Sequence, residues 1–239
     1  VSRSAKQYYP VMILLVLTVG LGIYSSSAAR TIATNDIERL QYEYGADVVM
    51  QSIWEQEFDL PPPGSGQNRP GEQHGQQPGQ GIPPSGNYIP EGRYIEPPFE
   101  IFKEMPGVEH AARVLVERGS ASVGGKSLGN AMIMGIDIED FAQVAWFKRE
   151  ILPIHQNHYL NALGQDESAV IVSQAAADRY GLKPGDTVRL TVNRASIECL
   201  IVAAIPYWPR LYPGEMPFFI ANLNYIQEYT PLAPYEVWL

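Results

Sequence analysis

Residues 169–205 read AVIVSQAAADRYGLKPGDTVRLTVNRASIECLIVAAI, and this stretch decides the fold class. Ala169, Val170, Ile171 and Val172 form a short apolar run of strand length. Ser173 stands at an N-cap position for a helix over 174–180, and Gly181 supplies the left-handed residue that stops it. Lys183-Pro184-Gly185-Asp186 places Pro and Gly where a tight turn wants them. Two apolar runs, 187–192 and 197–205, then predict a hairpin across Asn193-Arg194-Ala195-Ser196. Strand, helix and hairpin in close succession define an α+β domain.

On the C-terminal side, a Pro-rich loop over 206–217 carries Tyr207, Trp208 and Tyr212. A strand is expected at 218–221, a helix at 222–229 and a last strand at 235–239. On the N-terminal side, 140–164 reads as helical or irregular, with Phe141, Trp146 and Phe147 supplying bulk. Strands are expected at 131–138, 108–117 and 48–54. A short helix at 99–105 is bounded by Pro97-Pro98 and Pro106-Gly107. With 140–217 set aside, the order is strand, helix, strand, strand, helix, strand. The expected fold is therefore a βαββαβ-type sandwich over 97–239, with a β-rich subdomain, about 140–217, inserted late. Between the strand at 48–54 and this domain lies a Pro/Gly/Gln-rich stretch, 59–96. Such a composition cannot bury enough apolar surface to offset chain entropy, so a disordered linker is expected there. His74 lies inside it.

The first 44 residues have a different character. No charged side chain occurs from 7 to 29, and 11–23 is almost wholly aliphatic. About 20 apolar residues span a hydrocarbon core, so 10–29 is expected to be a transmembrane helix. Arg3 and Lys6 precede it, which places 1–9 in the cytoplasm and everything after Arg30 outside. Tyr8, Tyr9 and Tyr24 fall where interfacial rings sit. A cleaved signal peptide is the competing reading, with Ser26-Ser27-Ala28 as its small-residue end. Against it, helical spacing continues through Ile37, Leu40 and Tyr44, so 30–58 reads as a stalk helix followed by the first strand. Thr18, Gly22 and Ser26 recur every four residues and offer a small-residue face for helix packing. Val1 is not a start methionine and Leu239 closes an apolar run, so the chain reads as part of a longer protein.

Four features together carry a family resemblance. A membrane helix and stalk run into Tyr44-Gly45-Ala46-Asp47-Val48. Met105-Pro106-Gly107-Val108 follows a helix and precedes a strand. Ile171-Val172-Ser173 leads through Ala177 and Gly181-Leu182 to Gly185-Asp186-Thr187-Val188. A hairpin strand ending at Ile205 is followed by a helix over 223–229. In this order the chain resembles the permease subunit of ABC transporters of the FtsX/MacB type. The resemblance implies an extracytoplasmic domain between the first two membrane helices of a repeat. It implies two subdomains, the inserted one meeting substrate or a partner protein. It also implies a stalk that transmits motion from a separate cytoplasmic ABC ATPase subunit. The other partners implied are a second permease copy or homologous half and the lipid bilayer of the cell's inner or cytoplasmic membrane. The subunit itself would be no enzyme and would hold no cofactor. The long Pro/Gly/Gln insertion departs from the family pattern. A single-span membrane-anchored binding or sensor module is the alternative. An anchored hydrolase is a second rival, resting on the carboxylates and histidines below.

The chemical motifs are weak. Gly124-Gly125-Lys126-Ser127 resembles the end of a phosphate-binding loop, but the required first glycine position holds Ser120, with Gly119 one place too early. A solvated hairpin loop accounts for it better. His155 and His158 have ligand-like spacing, with Glu150 before them and His110 distant, but no third ligand stands at a motif distance. Asp137, Glu139 and Asp140 read as a solvated turn. Cys199, the only cysteine, permits no internal disulfide and reads as a small buried hydrophobe. A net charge of −9 with scattered cations offers no nucleic-acid surface. The loop aromatics with their arginine, Tyr207, Trp208, Arg210 and Tyr212, form the expected partner or substrate contact, since exposed aromatics beside Arg mark binding hot spots. The opposing account is that these rings cover the base of the sheet.

Overall fold

The structure, a computed structural model, describes residues 5–58, 92–148, 150–212, 214 and 216–239. It begins with α1, Ala5–Tyr44, a single helix of 40 residues. At 1.5 Å per residue it is about 60 Å long, twice a hydrocarbon core of about 30 Å. Roughly half of it must therefore stand outside any bilayer it crosses. The helix is long and apolar enough to cross a membrane, and its most apolar stretch has no protein cover. Two of its hydroxyls are satisfied within the helix: Thr18 Oγ1 donates to the Leu15 carbonyl and Thr31 Oγ1 to that of Ser27. The helix continues without a break through the residues expected to form a stalk.

Ten strands and five further helices complete the described chain. In chain order they are β1 Val49–Gln51, β2 Glu55–Phe58, β3 Gly92–Ile95, α2 Glu100–Lys103, β4 Ala112–Val123, β5 Lys126–Ile136, α3 Ile138–Val144, α4 Gln156–Gly164, β6 Ala169–Ser173, α5 Gln174–Tyr180, β7 Thr187–Val192, β8 Ala195–Ile205, β9 Phe218–Asn222, α6 Leu223–Tyr229 and β10 Glu236–Trp238. Eight strands form one mixed sheet in the order β1-β10-β4-β5-β9-β6-β8-β7, and β7 pairs back onto β4. That last pairing closes β4, β5, β9, β6, β8 and β7 into a barrel-like ring, from which β10 and β1 extend. β2 and β3 make a separate two-stranded sheet. Closure depends on Gly119: a Cβ there would lie 2.2 Å from the Thr191 carbonyl oxygen and 2.6 Å from Ile133 Cδ1.

Helices and strands mix as expected and the sheet forms a barrel-like sandwich; the specific βαββαβ arrangement is not seen in it. The strands of 140–217 enter the common sheet, with β6 lying between β9 and β8. The reason is visible in β6 itself, whose five residues are all buried. A strand apolar on both faces needs cover on both sides, so it belongs in the middle of a large sheet. Of the strand expected at 48–54 only β1, Val49–Gln51, forms; 52–54 is irregular and β2 begins beyond it, at Glu55. The strands expected at 108–117 and 131–138 become the longer β4 and β5, joined by a two-residue turn. Gly124 and Gly125 both have positive φ, as a tight hairpin turn requires. The GGKS stretch is thus a hairpin end. The expected linker, 59–96, lies outside the described residues as far as 91, and Gly92–Ile95 already pair with β2.

Helix α5 and its Gly181 stop, at φ +70°, lie where the sequence places them. Ser173 makes no side-chain cap bond to α5; its Oγ instead accepts from the Phe218 N–H, joining β6 to the start of β9. The core has two layers, one on each face of the sheet. Val170, Val172, Phe219, Ala221 and Cys199 fill one, under α5 and α6. Ala169, Ile171, Phe218 and Ile220 fill the other, with Phe141 of α3, Leu160 of α4, Trp208 and Trp238. Alternation along β6 and β9 sends neighbouring residues to opposite layers.

Candidate functional site: the stalk–domain junction

The second core layer is where the stalk helix meets the domain. α1 ends at Gly45, whose φ of +81° is the left-handed stop and whose N–H donates to the Gln41 carbonyl. The last carbonyls of a helix have no partner within it. Here the domain supplies two. The Arg210 N–H donates to the Tyr42 carbonyl at 2.9 Å, and the Trp146 N–H donates to the Gly45 carbonyl at 2.8 Å. The Tyr42 phenol donates to the Trp208 carbonyl at 2.7 Å, and its ring meets Tyr212 edge-on at 5.8 Å. One turn lower, Lys148 Nζ lies 2.5 Å from Glu38 Oε2. That carboxylate holds the Lys148 ammonium above its ordinary pKa.

Behind these contacts lies an aromatic block. Trp208 is fully buried, stacks on Phe141 with rings 5.7 Å apart, and meets Phe147 edge-on at 5.2 Å. Phe141 in turn tilts against Trp238, 5.4 Å away. Trp238 also closes over Gly45: a Cβ there would lie 2.5 Å from its ring. Arg210 pairs with Glu236 of β10, which also accepts from the Trp238 indole N–H. The helix end is thus seated on residues drawn from the α3–α4 connection, the 206–212 loop and β10.

The loop residues expected to form an exposed contact divide accordingly. Trp208 is a core residue and presents no surface. Arg210 is engaged by Glu236 and by the helix end. Tyr207 and Tyr212 stay 40% and 42% exposed. Trp208 covers the sheet, as the opposing account has it; what the sequence did not show is that the end of α1 is seated on this loop. Gly45 between an uninterrupted helix and a strand marked a helix stop, but a left-handed glycine does not by itself tell what packs on the helix end.

Thr18, Gly22 and Ser26 are exposed along α1. At about 100° per residue they share one sector of the helix with Ile37, Leu40 and Tyr44, all more than half exposed. Measured from the middle of that sector, Glu38 and Tyr42, which face the domain, lie more than a third of a turn away, and Gln41 about a quarter of a turn. α1 therefore carries a continuous unpartnered face, small in the apolar half and apolar in the other.

The other candidates separate. His155 caps α4, its Nδ1 accepting from the Asn157 N–H, and His158 is exposed. Among the described residues no group of three His, Cys, Asp or Glu is placed to hold a metal ion. Asp137 is bound to Arg113 at 2.9 Å and Asp140 to Lys103 at 3.0 Å. Burial pushes the Cys199 thiol up to about 12. The cleft beside the junction, lined by Arg118, Arg210, Tyr212 and Phe218, holds about 150 Å³, below the roughly 300 Å³ of a small-molecule site.

No family model matches the chain, and no curated protein does. Among solved structures it is similar to the extracellular domain of the noncanonic ABC-type transporter YknZ from Gram-positive bacteria. The identity is 14% and the TM-score 0.40, over 59% of this chain and 69% of that one. It is also similar to the periplasmic region of MacB from Actinobacillus actinomycetemcomitans, at 13% identity and TM-score 0.37, over 59% of this chain and 62% of that one. A third is a domain of a putative permease protein from Porphyromonas gingivalis, at 14% identity and TM-score 0.40, over 58% and 64% of the two chains. The chain thus spans less than two thirds of the latter two.

Proposed function

We propose that this chain is the first membrane helix and extracytoplasmic domain of an ABC-transporter permease of the FtsX/MacB type. α1 acts as a lever that carries motion from a cytoplasmic ATPase subunit to the outer domain. The observation that supports this best is the seating of the helix end. Three hydrogen bonds and an ion pair hold the last two turns of α1 to segments remote in sequence. A simple tether needs none of them. The span from Arg30 to Tyr44 has no Pro or Gly to absorb a push.

The remaining roles rest on the same seating. The Thr18, Gly22 and Ser26 face, prolonged by Ile37, Leu40 and Tyr44, packs against a helix of a second permease copy or homologous half. Small residues suit close approach in lipid, and apolar ones suit pairing in water. Tyr207 and Tyr212 are the part of the loop left to touch substrate or partner. β10 runs to the junction, where the Leu239 and Val48 backbones exchange two hydrogen bonds. Chain continuing from there would leave the domain beside the stalk. ATP hydrolysis belongs to the separate subunit, and the domain works outside the cytoplasmic membrane.

The test is insertion of Gly-Gly after Arg39 in the assembled transporter. Two helical glycines cost about 2 kcal/mol of local helix stability and leave the domain core untouched. Substrate-coupled ATP hydrolysis should fall while expression and folding persist. Undiminished coupling would reduce α1 to an anchor and favour the single-span binding module.

A further inference from the structure

Three neighbouring strands set an arginine beside the loop that seats α1. Arg118 of β4 pairs with Met132 of β5, and Met132 pairs with Phe218 of β9. Residues paired across adjacent strands share a face of the sheet. Phe218 lies in the second core layer, so Arg118 stands at the exposed end of a row on that face. Among the described residues it forms no ion pair. Glu117, next to it, is sent to the opposite face by the alternation of the strand.

The loop brings a second arginine. The Leu211 N–H donates to the Trp208 carbonyl and closes a tight turn. Arg210 is the third residue of this turn, with φ +66°. That position favours Gly or Asn, because a Cβ strains a left-handed backbone. The bond from the Arg210 N–H to the Tyr42 carbonyl needs no side chain, so the seat of α1 does not account for an arginine there. The side chain itself does two things. Its Nη1 pairs with Glu236, and it lines the cleft of about 150 Å³ together with Arg118. A guanidinium carries five N–H donors, so the pairing with Glu236 leaves donors over. Leu211 and Phe218, both buried, give the cleft an apolar floor, and Met132 and Met216 also line it. Two arginines and no described carboxylate line this cleft, in a chain whose net charge is −9.

We propose that the cleft binds the head group of a small anionic amphiphile, a carboxylate or phosphate on an alkyl stem. Arg118 and Arg210 hold the anion by charge-assisted hydrogen bonds, for which a guanidinium has the matching geometry. Leu211 and Phe218 take the first carbons of the stem. The cleft is too small to enclose a whole substrate, but it admits a head group and the start of its stem, and the remainder stays outside. The inference deepens the reading of the 206–212 loop as a contact for substrate or partner, and it does not depend on movement of α1.

The test uses the full chain in phosphatidylcholine nanodiscs, with isotope-labelled methionine methyl groups read by NMR. Met132 and Met216 report on the cleft, and Met105, outside it, is the reference. Hexanoate, hexyl phosphate and neutral hexanol are titrated separately. The proposal expects saturable shifts at Met132 and Met216 with hexanoate or hexyl phosphate, the tighter of the two naming the head group, while Met105 stays still. Arg118→Gln should weaken that binding about tenfold, as loss of a hydrogen bond to a charged group does. Arg118→Lys should recover part of it. Equal shifts with hexanol would overturn the anion site and leave the loop as an apolar contact surface. Full affinity in Arg118→Gln, or no shift with any of the three probes, would also overturn it. Binding that appeared only in Glu215→Gln would show the chain's own carboxylate already serving the arginines, and would overturn the proposal as well.

Discussion

The phenol of Tyr42 donates a 2.7 Å hydrogen bond to the Trp208 carbonyl, fastening the last turn of α1 to a loop 166 residues further along the chain. Tyr42→Phe removes this bond and keeps the ring against Tyr212. The Trp208 carbonyl still accepts from the Leu211 N–H, so no buried group is orphaned. The expected loss is therefore that of an ordinary hydrogen bond, about 1 kcal/mol. Exchange of the Arg210 amide, bonded to the Tyr42 carbonyl, should quicken about fivefold while amides of β6 keep their rates. Unchanged exchange at Arg210 would show that the phenol does not hold the seat.

Two glycines with left-handed φ separate strain from collision. Gly181 has open space where a Cβ would go, whereas a Cβ at Gly45 meets the Trp238 ring at 2.5 Å. Gly181→Ala should cost only the conformational term, about 1 kcal/mol. Gly45→Ala adds displacement of a buried tryptophan, so about 3 kcal/mol or more is expected. Thermal denaturation of the two variants in the same detergent gives the comparison. Equal losses would mean that Trp238 does not close over the helix end.

The Lys148–Glu38 pair carries a pH signature. The carboxylate raises the lysine pKa above its ordinary value, about 10.4. A folded-state pKa raised in this way contributes stability that is complete below the unfolded pKa and is lost as pH rises through the folded one. The stability difference between the parent chain and Glu38→Gln should be flat from pH 7 to about 10 and shrink at higher pH. Both groups are partly exposed, so it will be small and weaker in salt. A difference that grew with pH would contradict the pairing.

How much of this was legible in the sequence depends on the range of the signal. α5, the Gly181 stop, the turn at 183–186 and the β7–β8 hairpin are local, and turn chemistry fixes them within a few residues. The length of α1 was legible for the same reason, as an uninterrupted helical pattern. Sheet order was not legible, because the β4–β7 and β6–β9 pairings join segments far apart in sequence. The polar residues of 118–130 read as loop because side chains gave no apolar run, yet the β4–β5 ladder continues through them. The 206–212 loop stood out for its aromatics, but burial of Trp208 follows from Phe141 and Phe147 arriving from another segment.

Topology can be read with one added thiol. Lys183 is exposed in the turn before β7. Lys183→Cys should react with an impermeant maleimide in intact cells, provided the outer surface is reached. Native Cys199 should stay unlabelled until denaturant is added, because it is buried and its thiol is held near 12. Labelling of position 183 only after lysis would reverse the orientation.

The central claim is that stalk and domain move as one body, and a single distance tests it most directly. Spin labels at Ile32→Cys on the stalk and Glu167→Cys on the domain, in a Cys199→Ala chain held in nanodiscs, report their separation by pulsed dipolar spectroscopy. Both positions are exposed. The account predicts one narrow distance distribution, broadened by Gly-Gly insertion after Arg39. A distribution already broad in the chain without the insertion would show a hinge at Gly45 and contradict the lever.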